Sequence, residues 1–104
     1  MLGVVGVIDN FREFVENVDV PAQHILCFLH VANRGEVPLA DLVKLVGTDQ
    51  SAVSRSVAKL GPGSNPLEPG YGLLSLFEDP YYRRRKLVNL TARGKNLVSA
   101  LEEA

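Results

Sequence analysis

A chain of 104 residues has room for one domain and not two, and with 46% apolar and 22% charged residues it has the balance of a globular protein, which excludes a wholly disordered one. The uncharged stretch from Val20 to Ala32 is short and is interrupted by Pro21, Gln23 and His24, and the N-terminus lacks the basic segment of a secretory signal, so a cytoplasmic chain with no membrane partner is expected. The net charge of −1 argues against a nucleic-acid partner until its distribution is read: residues 50–95 hold eight Lys or Arg against three acids, a segment of +5, while residues 1–49 carry −4 and the last nine carry −2.

In chain order, Ile8, Phe11, Phe14, Val15 and Val18 recur at spacings of three and four. They predict an amphipathic helix over Val7–Val18, with Asp9, Arg12, Glu13 and Glu16 on its wet face. Pro21 suits the first turn of a second helix, in which Ile25, Leu26, Phe28, Leu29 and Ala32 form a wide apolar surface. That helix should end near Asn33–Gly35, residues that tolerate a left-handed cap. Glu36–Pro38 reads as a short extended link, a short strand between two helices. The next helix, Leu39–Val46, turns Leu39, Leu42, Val43 and Val46 inward and is stopped by Gly47.

Thr48 or Asp49 can cap a further helix, because either side-chain oxygen accepts from an orphan backbone N–H. This helix runs from about Gln50 to Leu60, burying Val53, Val57 and Leu60 and showing Gln50, Ser51, Ser54, Arg55 and Lys59 on the opposite face. The next twelve residues, 61–72, hold four glycines and three prolines, so no regular element is expected there, with Tyr71 as an anchor of the loop. Leu73–Phe77 reads as a strand, Asp79-Pro80 as a turn and Lys86–Leu90 as the returning strand. The tip between them carries Tyr81, Tyr82, Arg83, Arg84 and Arg85, and the two tyrosines are expected to pack on the hairpin. Thr91 can cap a last helix from Ala92 to about Glu103, with Leu97, Val98 and Leu101 apolar.

The expected fold is mainly α with a small β-hairpin: a winged helix-turn-helix with an extra N-terminal and a C-terminal helix. It is read as one domain over 1–104, with the N-terminal helix in 1–19, the helix-turn-helix in 39–60, the wing in 73–90 and the C-terminal helix in 91–104. The second helix of such a unit fits a DNA major groove, and a basic hairpin tip reaches the neighbouring backbone or minor groove.

Two segments carry a resemblance. Leu39-Ala-Asp-Leu-Val-Lys-Leu-Val-Gly-Thr-Asp-Gln-Ser-Ala-Val-Ser-Arg-Ser-Val-Ala-Lys-Leu60 is similar to the helix-turn-helix of the MarR family of bacterial regulators, which often reads L-A-x-x-L-G-x-D-x-S-T-V-S-R. Asp79-Pro-Tyr-Tyr-Arg-Arg-Arg-Lys-Leu-Val-Asn-Leu-Thr-Ala-Arg-Gly94 resembles the family's wing signature, D-x-x-D-R-R-x-x-x-V-x-L-T-x-x-G. The resemblance implies that Gln50, Ser51, Ser54 and Arg55 meet base edges or phosphates and that Arg83 and Arg84 make the wing contact. Tyr82 stands where the family usually has an acid that orients the wing arginine, which leaves that task to Asp79. The segment 61–72 is longer than the family's, and the chain stops about ten residues after Gly94, where the family continues through two dimerisation helices.

The function expected from these readings is sequence-specific binding of double-stranded DNA by a transcriptional regulator, a repressor that acts by occupying a promoter. Its contact residues are Gln50, Ser51, Ser54, Arg55, Lys59, Arg83, Arg84, Arg85 and Lys86. Apolar residues in the first twenty positions and in the last helix exceed what one winged helix buries, so a homodimer through the terminal helices is expected. A small-molecule effector is left open. Cys27, flanked by Leu26 and Phe28 with no basic neighbour, reads as a buried structural thiol rather than a redox sensor. His24 and His30 share no helical face and predict no metal site. No nucleophile elbow, phosphate loop or paired carboxylate points to an enzyme or a cofactor. Two alternatives stand beside this reading: a winged helix used as a protein-interaction module in a larger assembly, and a structural DNA-binding protein of replication or segregation.

Overall fold

The computed structural model describes residues 2–102. Its elements are α1 (Leu2–Phe14), α2 (Ala22–Arg34), β1 (Glu36–Pro38), α3 (Leu39–Val46), α4 (Gln50–Leu60), β2 (Gly63–Asn65), β3 (Glu68–Pro69), β4 (Leu74–Glu78), β5 (Lys86–Leu90) and α5 (Ala92–Glu102). The expected continuation of the last helix to Glu103 lies outside the described residues.

The helix-turn-helix forms where the caps and the apolar period place it. Gly47 closes α3 in the left-handed conformation, and Asp49 opens α4 by accepting the Ala52 N–H at 2.8 Å. Val53, Val57 and Leu60 of α4 are buried with Leu42 of α3 and with Ile25, Phe28 and Val31 of α2. Burying each such side chain is worth roughly 1.5–3 kcal/mol. Phe28 meets Phe11 of α1 edge to face, with ring centroids 5.4 Å apart and an interplanar angle of 71°.

The short link Glu36–Pro38 is more than a connection. It pairs antiparallel with β5, Val37 opposite Val88, and gives a three-stranded sheet of order β1-β5-β4. The hairpin β4–β5 is in register from Leu74 opposite Leu90 to Glu78 opposite Lys86. Its inner face contributes Leu74 and Val88 to the core, joined by Leu97 and Leu101 of α5. The structure thus has the winged helix-turn-helix architecture anticipated from the sequence.

Two expectations are corrected. The N-terminal helix runs over Leu2–Phe14 rather than Val7–Val18. It stops because Glu16 takes a left-handed conformation (φ 57°), with the Glu16 N–H donating to Glu13 O at 3.1 Å and the Asn17 N–H to Arg12 O at 3.0 Å. This is a Schellman ending without its usual glycine, and Val18, placed in the apolar stripe by spacing alone, is 68% exposed. The earlier start is not legible in the sequence because residues 2–8 carry no polar side chain, so the amphipathic pattern that locates surface helices is missing there.

The second correction concerns residues 61–72, which form a small antiparallel hairpin, β2–β3, instead of an irregular loop. Its glycines permit backbone-to-backbone approach. A Cβ on Gly70 would sit 2.0 Å from Gly61 O, and one on Gly63 would sit 2.2 Å from Glu68 O. The glycine content signalled tight packing rather than the absence of structure.

Gly94 in α5 works in the same way, since a Cβ there would lie 2.1 Å from Leu73 O. Gly94→Ala is therefore expected to destabilise the chain by about 1–3 kcal/mol through overpacking. Glu16→Gly is expected to act in the opposite direction, stabilising by roughly 0.5–1 kcal/mol by relieving the left-handed conformation. Thermal unfolding of the two variants beside the parent chain checks both, and a lower midpoint for Glu16→Gly would remove the Schellman account.

Candidate nucleic-acid interface

α4 presents the polar face foreseen for it, though not all of that face is free. With Val53, Val57 and Leu60 turned inward, Gln50, Ser51 and Arg55 are exposed. Ser54 is half-buried at the rim of a hollow of about 160 Å³ that it shares with Leu39, Val57, Pro62 and Leu76. Lys59 is turned away to the following hairpin: its Nζ donates to Pro69 O at 3.2 Å and lies 5.0 Å from the centroid of the Tyr71 ring.

Tyr71 is the anchor the sequence suggested, and it joins three parts of the chain. Its N–H donates to Lys59 O at 2.8 Å, its hydroxyl accepts from Asn17 Nδ2 at 2.8 Å, and its carbonyl accepts from Arg93 Nε at 2.9 Å. Arg93 in turn stacks on the Phe14 ring at 4.9 Å. Nothing in the local pattern signals this network, because Asn17, Tyr71 and Arg93 are brought together by packing.

The wing tip is organised by Asp79, which is 8% exposed. Its Oδ1 accepts the Tyr81 N–H at 2.8 Å. Its backbone N–H donates to Arg85 O, also at 2.8 Å, and its Oδ2 lies 3.7 Å from Arg85 Nε. Asp79 does orient a wing arginine, and that arginine is Arg85. Lys86 is also occupied, with Nζ 3.4 Å from Glu78 Oε1. Among the described residues no hydrogen bond or ion pair holds Arg83 or Arg84, so these are the cations that the wing offers outward. Tyr81 and Tyr82, expected to pack, are 89% and 66% exposed. The Asp79-Pro80 turn carries them beyond the hairpin's apolar face.

The sequence reading missed a polar cluster behind α4. Ser56 is fully buried, and its Oγ accepts from Gln23 Nε2 at 3.2 Å and lies 2.9 Å from His24 Nδ1. The available signal was its position, three residues after Val53 and four before Leu60, inside the buried stripe. Burial holds His24 below the usual imidazole range, with Lys59 nearby acting in the same direction. Burial raises the thiol of Cys27, fully enclosed, against a smaller opposing effect of the Ser56 hydroxyl, as suits a structural cysteine.

A second surface lies between α1 and α2, an apolar groove of about 740 Å³ lined by residues that include Val4, Val7, Ile8, Leu26 and Leu29. Val4 and Val5 are 68% and 57% exposed. Leu97 and Leu101 of α5, by contrast, are buried within the chain. No group of three or more His, Cys, Asp or Glu side chains among the described residues is arranged to hold a metal ion. No described helix is long and apolar enough to cross a membrane.

Because folding keeps His24 neutral, stability is intact above the ordinary imidazole pKa of about 6.5 and is lost as pH falls from there towards the lower pKa of the folded state. Thermal midpoints should thus fall between about pH 7.5 and pH 5.5 in the parent chain and change less in His24→Gln, which cannot titrate. Equal pH dependence in the two proteins would show that His24 is not the group responsible.

The whole described chain is similar to solved structures. It aligns with the crystal structure of RV1404 from Mycobacterium tuberculosis at 26% identity and a TM-score of 0.76, covering 98% of this chain and 63% of that one. The transcriptional regulator Tm0710 from Thermotoga maritima aligns at 22% identity and a TM-score of 0.75, over 98% of this chain and 63% of that one. A mutant of MarR from E. coli, complexed with operator DNA, aligns at 17% identity and a TM-score of 0.69, over 98% and 67% respectively. The chain therefore spans less than two thirds of the length of the first two of these proteins. No protein-family model matches the sequence, and no curated protein matches it significantly.

Proposed function

We propose, from the winged helix-turn-helix fold that this chain has in common with MarR-family regulators, that it is a cytoplasmic, non-enzymatic transcriptional regulator that binds double-stranded DNA in a sequence-specific way and acts as a repressor. The observation that carries this reading is the pairing of an exposed polar face on α4 with a wing tip whose Arg83 and Arg84 are left uncommitted. α4 enters the major groove, where Gln50, Ser51, Ser54 and Arg55 meet base edges and phosphates. Arg83 and Arg84 follow the neighbouring backbone or minor groove, whose negative potential favours arginine. Arg85 and Lys86 serve mainly to hold the wing's shape, through Asp79 and Glu78, and Lys59 holds the β2–β3 hairpin. A repressor needs no further module, since occupying a promoter is sufficient.

A second copy of the chain would cover the exposed valines of α1 and the apolar groove beside them, forming a homodimer through the N-terminal helix. A two-fold dimer places its recognition helices in successive major grooves, about 34 Å apart, on a pseudo-palindromic site.

Fluorescence anisotropy with the duplex upstream of the chain's own gene, and with a scrambled duplex, tests the proposal across a salt series. Tight, salt-dependent preference for the upstream duplex is the expected result. Arg84→Ala should weaken both duplexes alike and lower the salt slope by about 0.9. Arg55→Ala should reduce the preference itself, by about tenfold. Equal binding of the two duplexes by the parent chain would favour a structural DNA-binding role, and no binding at low salt would favour a protein-interaction module.

A further inference from the structure

Among the described residues two polar side chains are buried, Asp79 and Ser56. Asp79 is explained by the wing turn that it organises. Ser56 has no such local explanation. The other buried positions of α4 are Val53, Val57 and Leu60, and a serine among them lowers helix propensity and adds a hydroxyl that must be satisfied out of water.

The hydroxyl is satisfied from another helix. Gln23 and His24, in the first turn of α2, both reach it, at 3.2 and 2.9 Å. A neutral His24 protonated at Nε2 gives a chain in which each hydrogen is used once: Gln23 Nε2–H donates to Ser56 Oγ, and Ser56 O–H donates to His24 Nδ1. The charged and titratable neighbours agree with a neutral ring, since Lys59 on α4 repels a second positive charge and Cys27 on α2 stays a thiol.

The rest of the α2–α4 contact is largely apolar, from Ile25, Phe28 and Val31 to Val53, Val57 and Leu60. Apolar burial is non-directional and tolerates small rotations of one helix against another. Hydrogen bonds weaken steeply when their angles change, so they fix the rotation that burial leaves soft.

We propose that Ser56, latched by Gln23 and His24, is a positioning residue for sequence reading: it fixes the rotation of α4 about its own axis, and with it the direction in which Ser51 and Arg55 point. A rotation of α4 moves the tip of an exposed arginine by more than it moves the buried stripe, because the tip lies farther from the axis. Phosphate contacts, which are long-range and adaptable, survive such a change, whereas bidentate base contacts do not. This inference rests on the DNA-binding reading above.

The test is the double variant His24→Leu/Ser56→Ala, which removes the Ser56 hydroxyl and the imidazole it donates to together, so that of the latch only the half-buried Gln23 amide loses its acceptor and must turn to water, a smaller cost than removing Ser56 or His24 alone. Anisotropy is measured with the duplex that the parent chain prefers and with a scrambled one, over a salt series, beside thermal midpoints. The expected result is a loss of discrimination of about tenfold, with the salt slope retained. A merely structural role would reduce the active fraction on both duplexes and leave their ratio unchanged. His24→Gln, which retains a side chain able to accept from Ser56, should keep most of the discrimination. If the double variant does not fold, Ser56→Cys, close in size but a poor hydrogen-bond partner, takes its place with the same expectation. A folded variant that discriminates as well as the parent overturns the latch alone. A parent chain that prefers no duplex overturns both the latch and the function proposed above.

Discussion

The burial of one face of α4 against α2 is the constraint on which the rest of the structure depends. A helix repeats every 3.6 residues, so once Val53, Val57 and Leu60 are committed to the core, Ser51 and Arg55 fall on the solvent side of α4, with their finer direction left to the rotation of the helix. The same commitment fixes the place of α3, whose Leu42 closes the core from the other side. It also fixes where the chain leaves α4, and therefore where the hairpins that follow begin. The candidate interface is thus a consequence of core formation, with the polar face selected by what the apolar face requires.

Each of the two proposed DNA-contacting elements rests on one buried polar residue. Asp79 shapes the wing turn from below through two backbone hydrogen bonds and the ion pair with Arg85, and so leaves Arg83 and Arg84 pointing away. Ser56 ties the back of α4 to α2. Buried polar groups are costly when unsatisfied, and hydrophobic burial alone would have favoured a residue such as alanine or leucine at either position. What polar groups add is direction, which an apolar core supplies only weakly.

The segment between α4 and β4 shows how composition can mislead. Four glycines and three prolines in residues 61–72 read as a connection without structure. In the fold Gly61, Gly63 and Gly70 allow the backbone segments of a small hairpin to lie closer together than a side chain there would permit. Lys59, Tyr71, Asn17 and Arg93 then clamp the segment to α4, to the turn that follows α1, and to α5. A lysine that the helical period assigned to the exposed face is in this way drawn off it.

Local rules made most of the architecture legible. Apolar spacing located α2, α3, α4, β5 and α5; Gly47 and Asp49 marked the turn between the two central helices; and the basic run after Asp79-Pro80 marked the wing. These features depend on residues within a few positions of one another, so the amino-acid sequence by itself determined them, together with the winged helix-turn-helix order and the candidate faces. Only the tertiary structure decided which members of those faces are free. Arg85, Lys86 and Lys59 are engaged, while Arg83 and Arg84 are not, because their partners are chosen by packing and register and not by spacing. The joining of Glu36–Pro38 to the sheet and the meeting of Ser56 with His24, thirty-two residues apart, belong to the same class. Each is a contact between separate elements or across a turn, and a pattern of period 2 or 3.6 carries information about which face is buried but none about what lies across from it.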